Sequence, residues 1–243
     1  MSEARSIVGH MDIILIPGLW LDASSWADVT SALEDAGHTV HPLTMPGVGV
    51  SASESSDIGM AAWVASAVAA VDAVGGPVIV VGHSGGGNVA WGVADARPEA
   101  VARVVLVDTV APPAGSGIGE FAAVDGVVPF PGWDHFPDED VSDLDDETRA
   151  RTAPLTRSVP SRVPADPIAL GDPARYRVPV TFLMGSYDQE TFESELEEWG
   201  PYADEYRAIE DAEVVRIGSG HWPQFSMPAR VAELIDEAVS RRA

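Results

Sequence analysis

One serine stands where a nucleophile would be built. Gly82-His83-Ser84-Gly85-Gly86 fits the pattern G-x-S-x-G, with the apolar run Pro77 to Val81 leading in and a helical pattern from about Asn88 to Ala96 leading out. At so sharp a strand-to-helix turn the backbone is strained and neighbouring side chains would clash. Glycines two before and two after the serine relieve that crowding, and the turn lifts the hydroxyl above the sheet edge. A serine hydroxyl is not ionised at neutral pH, so a base must take its proton. His221 fits best, in the loop Gly218-Ser219-Gly220-His221 between the last strand and the last helix. The other histidines fit less well. His83 adjoins Ser84 and points elsewhere, His38 and His41 lie on a strand, His10 is terminal, and His135 falls in an irregular segment where it could touch substrate.

An imidazole base needs an acid to fix its tautomer and stabilise its cation. Two aspartates qualify, each at the carboxyl end of a strand. Asp188, within Gly185-Ser186-Tyr187-Asp188 after VPVTFLM, is favoured on its loop context. Asp108, ending VVLVD, is the alternative acid; its plainer role is to bond the loop that follows. An oxyanion hole needs two backbone N–H groups aimed at the developing charge. Gly85 supplies one, and Leu19, in Pro17-Gly18-Leu19-Trp20 after the first strand, supplies the other. Trp20, Trp133, His135 and Trp222 are the expected substrate-pocket residues, with Phe136 beside them.

The elements that must hold these groups follow from pattern. Short apolar runs alternate with helical stretches, which predicts parallel βαβ units. Six parallel strands are expected, near 12–16, 38–43, 77–81, 104–107, 177–184 and 213–217. Helices fill the intervals and cover both faces, among them 57–74 after an Asp57 cap, 192–199, and 227–240 at the end. Residues 111–170 break the pattern, rich in proline and weak in periodicity. So long a connection is usually functional or disordered, and it reads as an inserted cap on one α/β domain spanning 1–243. Residues before Met11 are set aside as an alternative start or a tag remnant.

Composition narrows the function. The chain carries 38 Asp and Glu against 14 Lys and Arg, a formal net charge of −24, and has neither lysine nor cysteine. Nucleic acid and anionic membrane surfaces need clustered cations, so neither is an expected partner. Disulfides, thiolate catalysis and Cys-ligated metals are excluded. The acidic run DEDVSDLDDE, 138–147, lacks the glycine and spacing of a calcium loop and reads as a solvated face. No metal or cofactor is expected. With no secretory leader or membrane span in the pattern, the expected location is the cytoplasm. Oligomeric state is not written in the pattern.

Taken together, the loop after the first strand, GHSGG, GSYD and GSGHW resemble the α/β-hydrolase superfamily over nearly the whole chain from Asp12. The compact sheet without an N-terminal hairpin is similar to small esterases related to plant methylesterases and hydroxynitrile lyases. The resemblance implies an α/β-hydrolase fold, Ser84, Asp188 and His221 as the triad, and Leu19 and Gly85 as oxyanion donors. Pro17-Gly18 departs from the family's frequent His-Gly at the oxyanion loop, which keeps the backbone donors but loses a side chain that orders the loop. Serine rather than aspartate at the elbow argues against dehalogenase and epoxide-hydrolase chemistry. The expected reaction is hydrolysis of a carboxylic ester, thioester or lactone of a small to medium, largely apolar molecule through an acyl-enzyme. The alternative is a lyase or cofactor-free tailoring enzyme of secondary metabolism using the same groups as acid and base, although the plant lyases also rely on a pocket lysine. A non-enzymatic ligand-binding relative would need a broken triad, which the sequence does not show. The acid in the cap and after Asp188 predicts a rim that disfavours anionic substrates.

Overall fold

The computed structural model describes residues 9–241. The N-terminal stretch set aside above lies mostly outside them. The strands are β1 (Asp12–Ile16), β2 (Thr39–Pro42), β3 (Val78–His83), β4 (Val101–Val107), β5 (Val127–Val128), β6 (Val159–Pro160), β7 (Val180–Met184) and β8 (Ala212–Arg216). The helices are α1 (Ala27–Asp35), α2 (Ala52–Ser55), α3 (Met60–Val74), α4 (Gly85–Ala96), α5 (Asp138–Val141), α6 (Asp146–Thr152), α7 (Arg162–Ala165), α8 (Gln189–Leu196), α9 (Pro201–Ala208), α10 (Pro223–Ser226) and α11 (Pro228–Ser240).

Six strands form one parallel sheet in the order β2-β1-β3-β4-β7-β8. Side chains alternate across it, as the strand period of two requires. Ile13, Leu15, Ile79, Val81, Val105 and Val107 meet Trp26 of the 3-10 turn before α1, Leu33 of α1, and Val231 and Ile235 of α11. Ile14, Ile16, Val80, Leu106 and Phe182 face the other way, against Trp63 and Val71 of α3, Trp91 of α4 and Phe192 of α8. Burial on both faces is why these strands read as near-continuous β-branched runs.

Several boundaries differ from the pattern. α3 starts at Met60 because Asp57 and Ile58 sit in a turn, closed by Ile58 N–H on Ser55 O at 3.0 Å. α4 starts at Gly85, directly behind the serine. The helix expected over 192–199 is α8 ending at Leu196, followed by a 3-10 turn, Glu197–Trp199. Gly200, at φ 54°, and Pro201 then open α9, which the pattern did not separate. α9 is tied to α4 by a buried cluster. Glu205 accepts from Trp91 Nε1 at 2.8 Å and pairs with Arg175 at 2.9 Å, while Arg175 also meets Asp95 at 3.2 Å. Breaking such a buried pair on one side costs about 3–5 kcal/mol, so the attachment is firm.

The stretch between β4 and β7 has no long element. It holds the two-stranded ribbon β5–β6, short helices α5 to α7, and irregular chain. Its aromatic residues Phe130, Trp133 and Phe136 pack on Trp20 from the β1 loop and on Trp222 and Phe225. No helix among the described residues is long and apolar enough to cross a membrane.

Candidate active site

Ser84 closes β3 and caps α4 at φ 50°, ψ −125°, a conformation that an L-residue holds only when its surroundings force it. The forcing is visible. A Cβ on Gly86 would lie 2.5 Å from Pro17 O and 2.6 Å from Ile16 O, and one on Gly82 would lie 2.4 Å from Gly86 O. Bare backbone at these two positions lets the β1 loop and the first turn of α4 close around the serine. Gly18 sits equally tight, its Cβ position 2.7 Å from His83 Nδ1 and 3.1 Å from Ser84 Cβ. The Pro17-Gly18 loop therefore crosses directly over the elbow. Leu19 lies beside Gly85, a Cβ there falling 3.1 Å from Leu19 Cγ. The two expected oxyanion residues are thus neighbours flanking Ser84.

The partner of His221 is Asp108, not the Asp188 that the loop motif suggests. His221 Nε2 is 2.9 Å from Ser84 Oγ, and His221 Nδ1 is 2.6 Å from Asp108 Oδ2. Asp108 is the first residue after β4. Its N–H still donates to Leu183 O at 2.8 Å, and its φ of 46° turns the carboxylate across the sheet top. Its second oxygen accepts from Gly185 N–H at 2.7 Å. Burial alone would raise the Asp108 pKa, but the His221 and Gly185 hydrogen bonds outweigh it and hold the carboxyl below its ordinary value. Asp188 is exposed and caps α8, accepting from Thr191 N–H at 3.0 Å. What GSYD contributes to the site is its glycine. A Cβ on Gly185 would stand 2.7 Å from Ser219 O and 3.0 Å from Asp108 Oδ1.

His221 is held at both ends of its own peptide. Its N–H donates to Asp140 O at 2.9 Å, and its carbonyl accepts from His83 Nε2 at 2.7 Å. Gly220 N–H donates to Asp143 Oδ2 at 2.8 Å. The segment between β4 and β7 thereby grips the histidine loop. Burial pushes the Asp140 carboxyl up, partly opposed by His221. His83 is fully buried and accepts at Nδ1 from Gln224 Nε2 at 3.2 Å. Burial first, then repulsion from His221, pushes its pKa down to about 3, so it is neutral and a fixed donor to the histidine loop. Nothing in the sequence marks Asp140, Asp143 or Gln224 for the site. Only His83 carried a signal, its place beside the serine.

A cavity of about 510 Å³ opens on Ser84 and His221, with Asn88, Ile118, Trp199 and Tyr202 among its walls. None of Trp20, Trp133, His135 and Trp222 lines it. Trp20, Trp133 and Trp222 are buried in an aromatic layer shared with Phe130 and Phe136 of the inserted segment, and Trp222 meets His221 edge-on at 4.8 Å between ring centres. His135 is exposed. The three tryptophans pack with other aromatic side chains rather than facing the opening.

Chemically, the line Asp108–His221–Ser84 can take a proton from the hydroxyl while the carboxylate stabilises the resulting imidazolium. With Asp108 ionised, Nδ1–H donates to its Oδ2, which leaves Nε2 to accept from the serine hydroxyl.

Known proteins resemble the chain along most of its length. The alpha/beta hydrolase family model matches residues 13–234. A carbendazim-hydrolyzing esterase from Nocardioides sp. (strain SG-4G) is 31% identical over 109 residues, covering 44% of this chain and 45% of that protein, so the chain matches about half the length of this relative. An extracellular alpha/beta-hydrolase from a Paenibacillus species, described as sharing structural and functional homology with tobacco salicylic acid binding protein 2, superposes with a TM-score of 0.74 at 21% identity, covering 95% of this chain and 99% of that one. The methylesterase MES16 from Arabidopsis gives 0.72 at 20% identity, covering 95% and 99%. A pyrethroid hydrolase from Sphingobium faniae JZ-2 gives 0.74 at 18% identity, covering 96% and 98%. These three share the fold. With the elbow, the sheet order and the family match over nearly all of its residues, the chain belongs to the alpha/beta hydrolase family.

Proposed function

We propose that the protein is a serine hydrolase of carboxylic esters, acting through an acyl-enzyme on a small to medium, largely apolar substrate. One observation carries the reading: Ser84 Oγ lies 2.9 Å from His221 Nε2, whose other nitrogen lies 2.6 Å from the Asp108 carboxylate. Esterase activity in the Nocardioides relative supports it.

Ser84 Oγ attacks the ester carbonyl carbon as its proton passes to His221 Nε2. The carbonyl oxygen becomes an oxyanion against the N–H groups of Gly85 and Leu19. Asp108, kept ionised, stabilises the imidazolium. The tetrahedral intermediate collapses, the C–O bond to the alcohol breaks, and His221 returns the proton to the leaving oxygen. Water, deprotonated by His221, then attacks the acyl-enzyme and releases the acid. His83, Asp140 and Asp143 hold the His221 loop through its backbone, and the segment carrying Asp140 and Asp143 serves as the cap. A cavity of about 510 Å³ is within the range of small-molecule sites. Among the described residues no arginine lines its walls, and the chain has no lysine, so an anionic substrate such as a phosphate ester or acyl-CoA finds no counter-charge there.

An active-site-directed fluorophosphonate tests the reading. Intact-mass measurement should show one adduct on the native protein and none on Ser84→Ala. A folded native protein that takes no adduct, and cleaves no p-nitrophenyl ester in an acyl-chain series, would overturn it.

A further inference from the structure

The cavity wall is not uniformly apolar. Asn88 lies four residues after Ser84 on α4, is only 6% exposed, and borders the cavity. Ser84 caps α4 and Asn88 is the fourth residue of that helix, so the two stand about one turn apart along the axis, about 6 Å, and both border the same cavity. Among the described residues it makes no hydrogen bond to the chain, and neither do the hydroxyls of Thr109 and Tyr202, which border the same cavity. In the open cavity its amide atoms still reach solvent, and stranding a carboxamide away from water is costly. A molecule entering the cavity strips solvent from Asn88 and must return its hydrogen bonds or bind less well.

Charge narrows what that molecule carries. Among the described residues no arginine borders the cavity, and the aspartate that does, Asp108, has both oxygens engaged by His221 and Gly185. Neither an anion nor a cation is matched. A carboxamide both donates and accepts, which suits a hydroxyl or a carbonyl oxygen. Val110, Ile118 and Trp199 supply the apolar remainder of the wall.

We propose that the cavity selects esters bearing a second, neutral hydrogen-bonding group within about 6 Å of the scissile carbonyl, and that Asn88 is the residue that reads it. The proposal rests on the ester-hydrolase reading for its reaction, but the recognition it describes can be measured without turnover.

Two matched pairs test it: methyl 3-hydroxyhexanoate against methyl hexanoate, and 3-hydroxybutyl hexanoate against butyl hexanoate. Rates are followed by pH-stat on the wild type and Asn88→Leu, and binding by calorimetry on Ser84→Ala with and without Asn88→Leu. In at least one pair the hydroxylated ester should lead by about tenfold, the worth of one buried neutral hydrogen bond, and Asn88→Leu should erase or invert that lead. Equal rates within both pairs on the wild type, which needs no variant to fold, would overturn the proposal. A lead that survives Asn88→Leu would overturn the assignment to Asn88. A binding preference on Ser84→Ala without hydrolysis by the wild type would uphold the Asn88 site and sink the esterase reading.

Discussion

β4 and β7 are parallel neighbours, and each delivers an aspartate to the same edge of the sheet. Asp108 reaches His221, and Asp188 does not. The difference lies in how far each residue stands from its strand. Asp108 follows β4 directly and keeps a ladder bond to Leu183 O, so its carboxylate is aimed by the sheet itself. Asp188 comes after Gly185, Ser186 and Tyr187, where the chain has left the sheet, and its carboxylate serves the helix it begins. A loop motif suggested Asp188. Rigid attachment to the sheet edge decides for Asp108, because a side chain on a regular element is held more closely than one on a loop.

The widest gap between the two aspartates should appear in turnover. Asp108→Asn keeps shape but removes the charge and favours the wrong imidazole tautomer, so kcat should fall by about 10⁴. Asp188→Asn should leave kcat at the wild-type value. Initial rates on a p-nitrophenyl ester decide the matter, and the opposite ranking would return the acid role to Asp188. A smaller effect follows from Gly185, the part of the second loop that touches the first. Its added Cβ would press on Ser219 O at 2.7 Å and Asp108 Oδ1 at 3.0 Å. Gly185→Ala should therefore cost up to about 10² in kcat through misplacement of both His221 and Asp108. Ser186→Ala, at an exposed neighbour, should not change it.

The histidines extend the comparison to pH. His83 is pushed down to about 3 in the folded protein, against about 6.5 for a free side chain. Between those values the unfolded chain binds a proton that the folded one refuses, so stability rises with pH across the window and is lost as pH falls below 6.5. The slope reaches about 1.4 kcal/mol per pH unit at most. Gln at this position takes up no proton. The Tm deficit of His83→Gln relative to wild type should therefore shrink as pH falls from 7 to 4. A constant deficit would mean that His83 is not the buried neutral donor described. Asp108 points the same way, since its depressed carboxyl adds stability that is present above the ordinary aspartate range and lost on acidification.

The fold was legible because each inner strand is buried on both faces and so announces itself as a β-branched run between glycine and proline punctuation. The elbow was legible because its chemistry demands glycines at fixed spacing, and Gly82 and Gly86 stand where backbone meets backbone. Asp108 is only an alternative acid in the sequence, since sequence shows which residue ends a strand but not which carboxylate the histidine loop will meet. The cavity wall was illegible for a related reason. Ile118, Trp199 and Tyr202 come from a proline-rich segment and from a helix pair whose break at Gly200 no periodicity marks. The tryptophans chosen instead satisfy the same expectation of apolar bulk near the edge, and mutual packing rather than exposure to substrate claimed them. His83 was legible as a residue and not as a role, because its function is a hydrogen bond to the backbone of a residue far along the chain.

The smallest effect isolates what Asp188 does. Its carboxylate accepts from Thr191 N–H at the first turn of α8, and that bond holds the carboxyl below its usual range. Asp188→Ala removes an N-cap on a surface helix, which for a chain of this size should lower Tm by about 2–4 °C at pH 7 with kcat unchanged. The sign with pH follows from the direction of the shift. A depressed carboxyl contributes stability above the ordinary aspartate pKa and loses it as pH falls through the folded value, so the Tm gap should begin to narrow below about pH 4. The measurement is a pair of melting curves at pH 7 and pH 3, with the same proteins assayed for turnover at pH 7. A gap that does not narrow in acid would deny the carboxylate its capping role. A loss of turnover without a loss of Tm would move Asp188 from helix cap to active-site residue and reverse the contrast with Asp108.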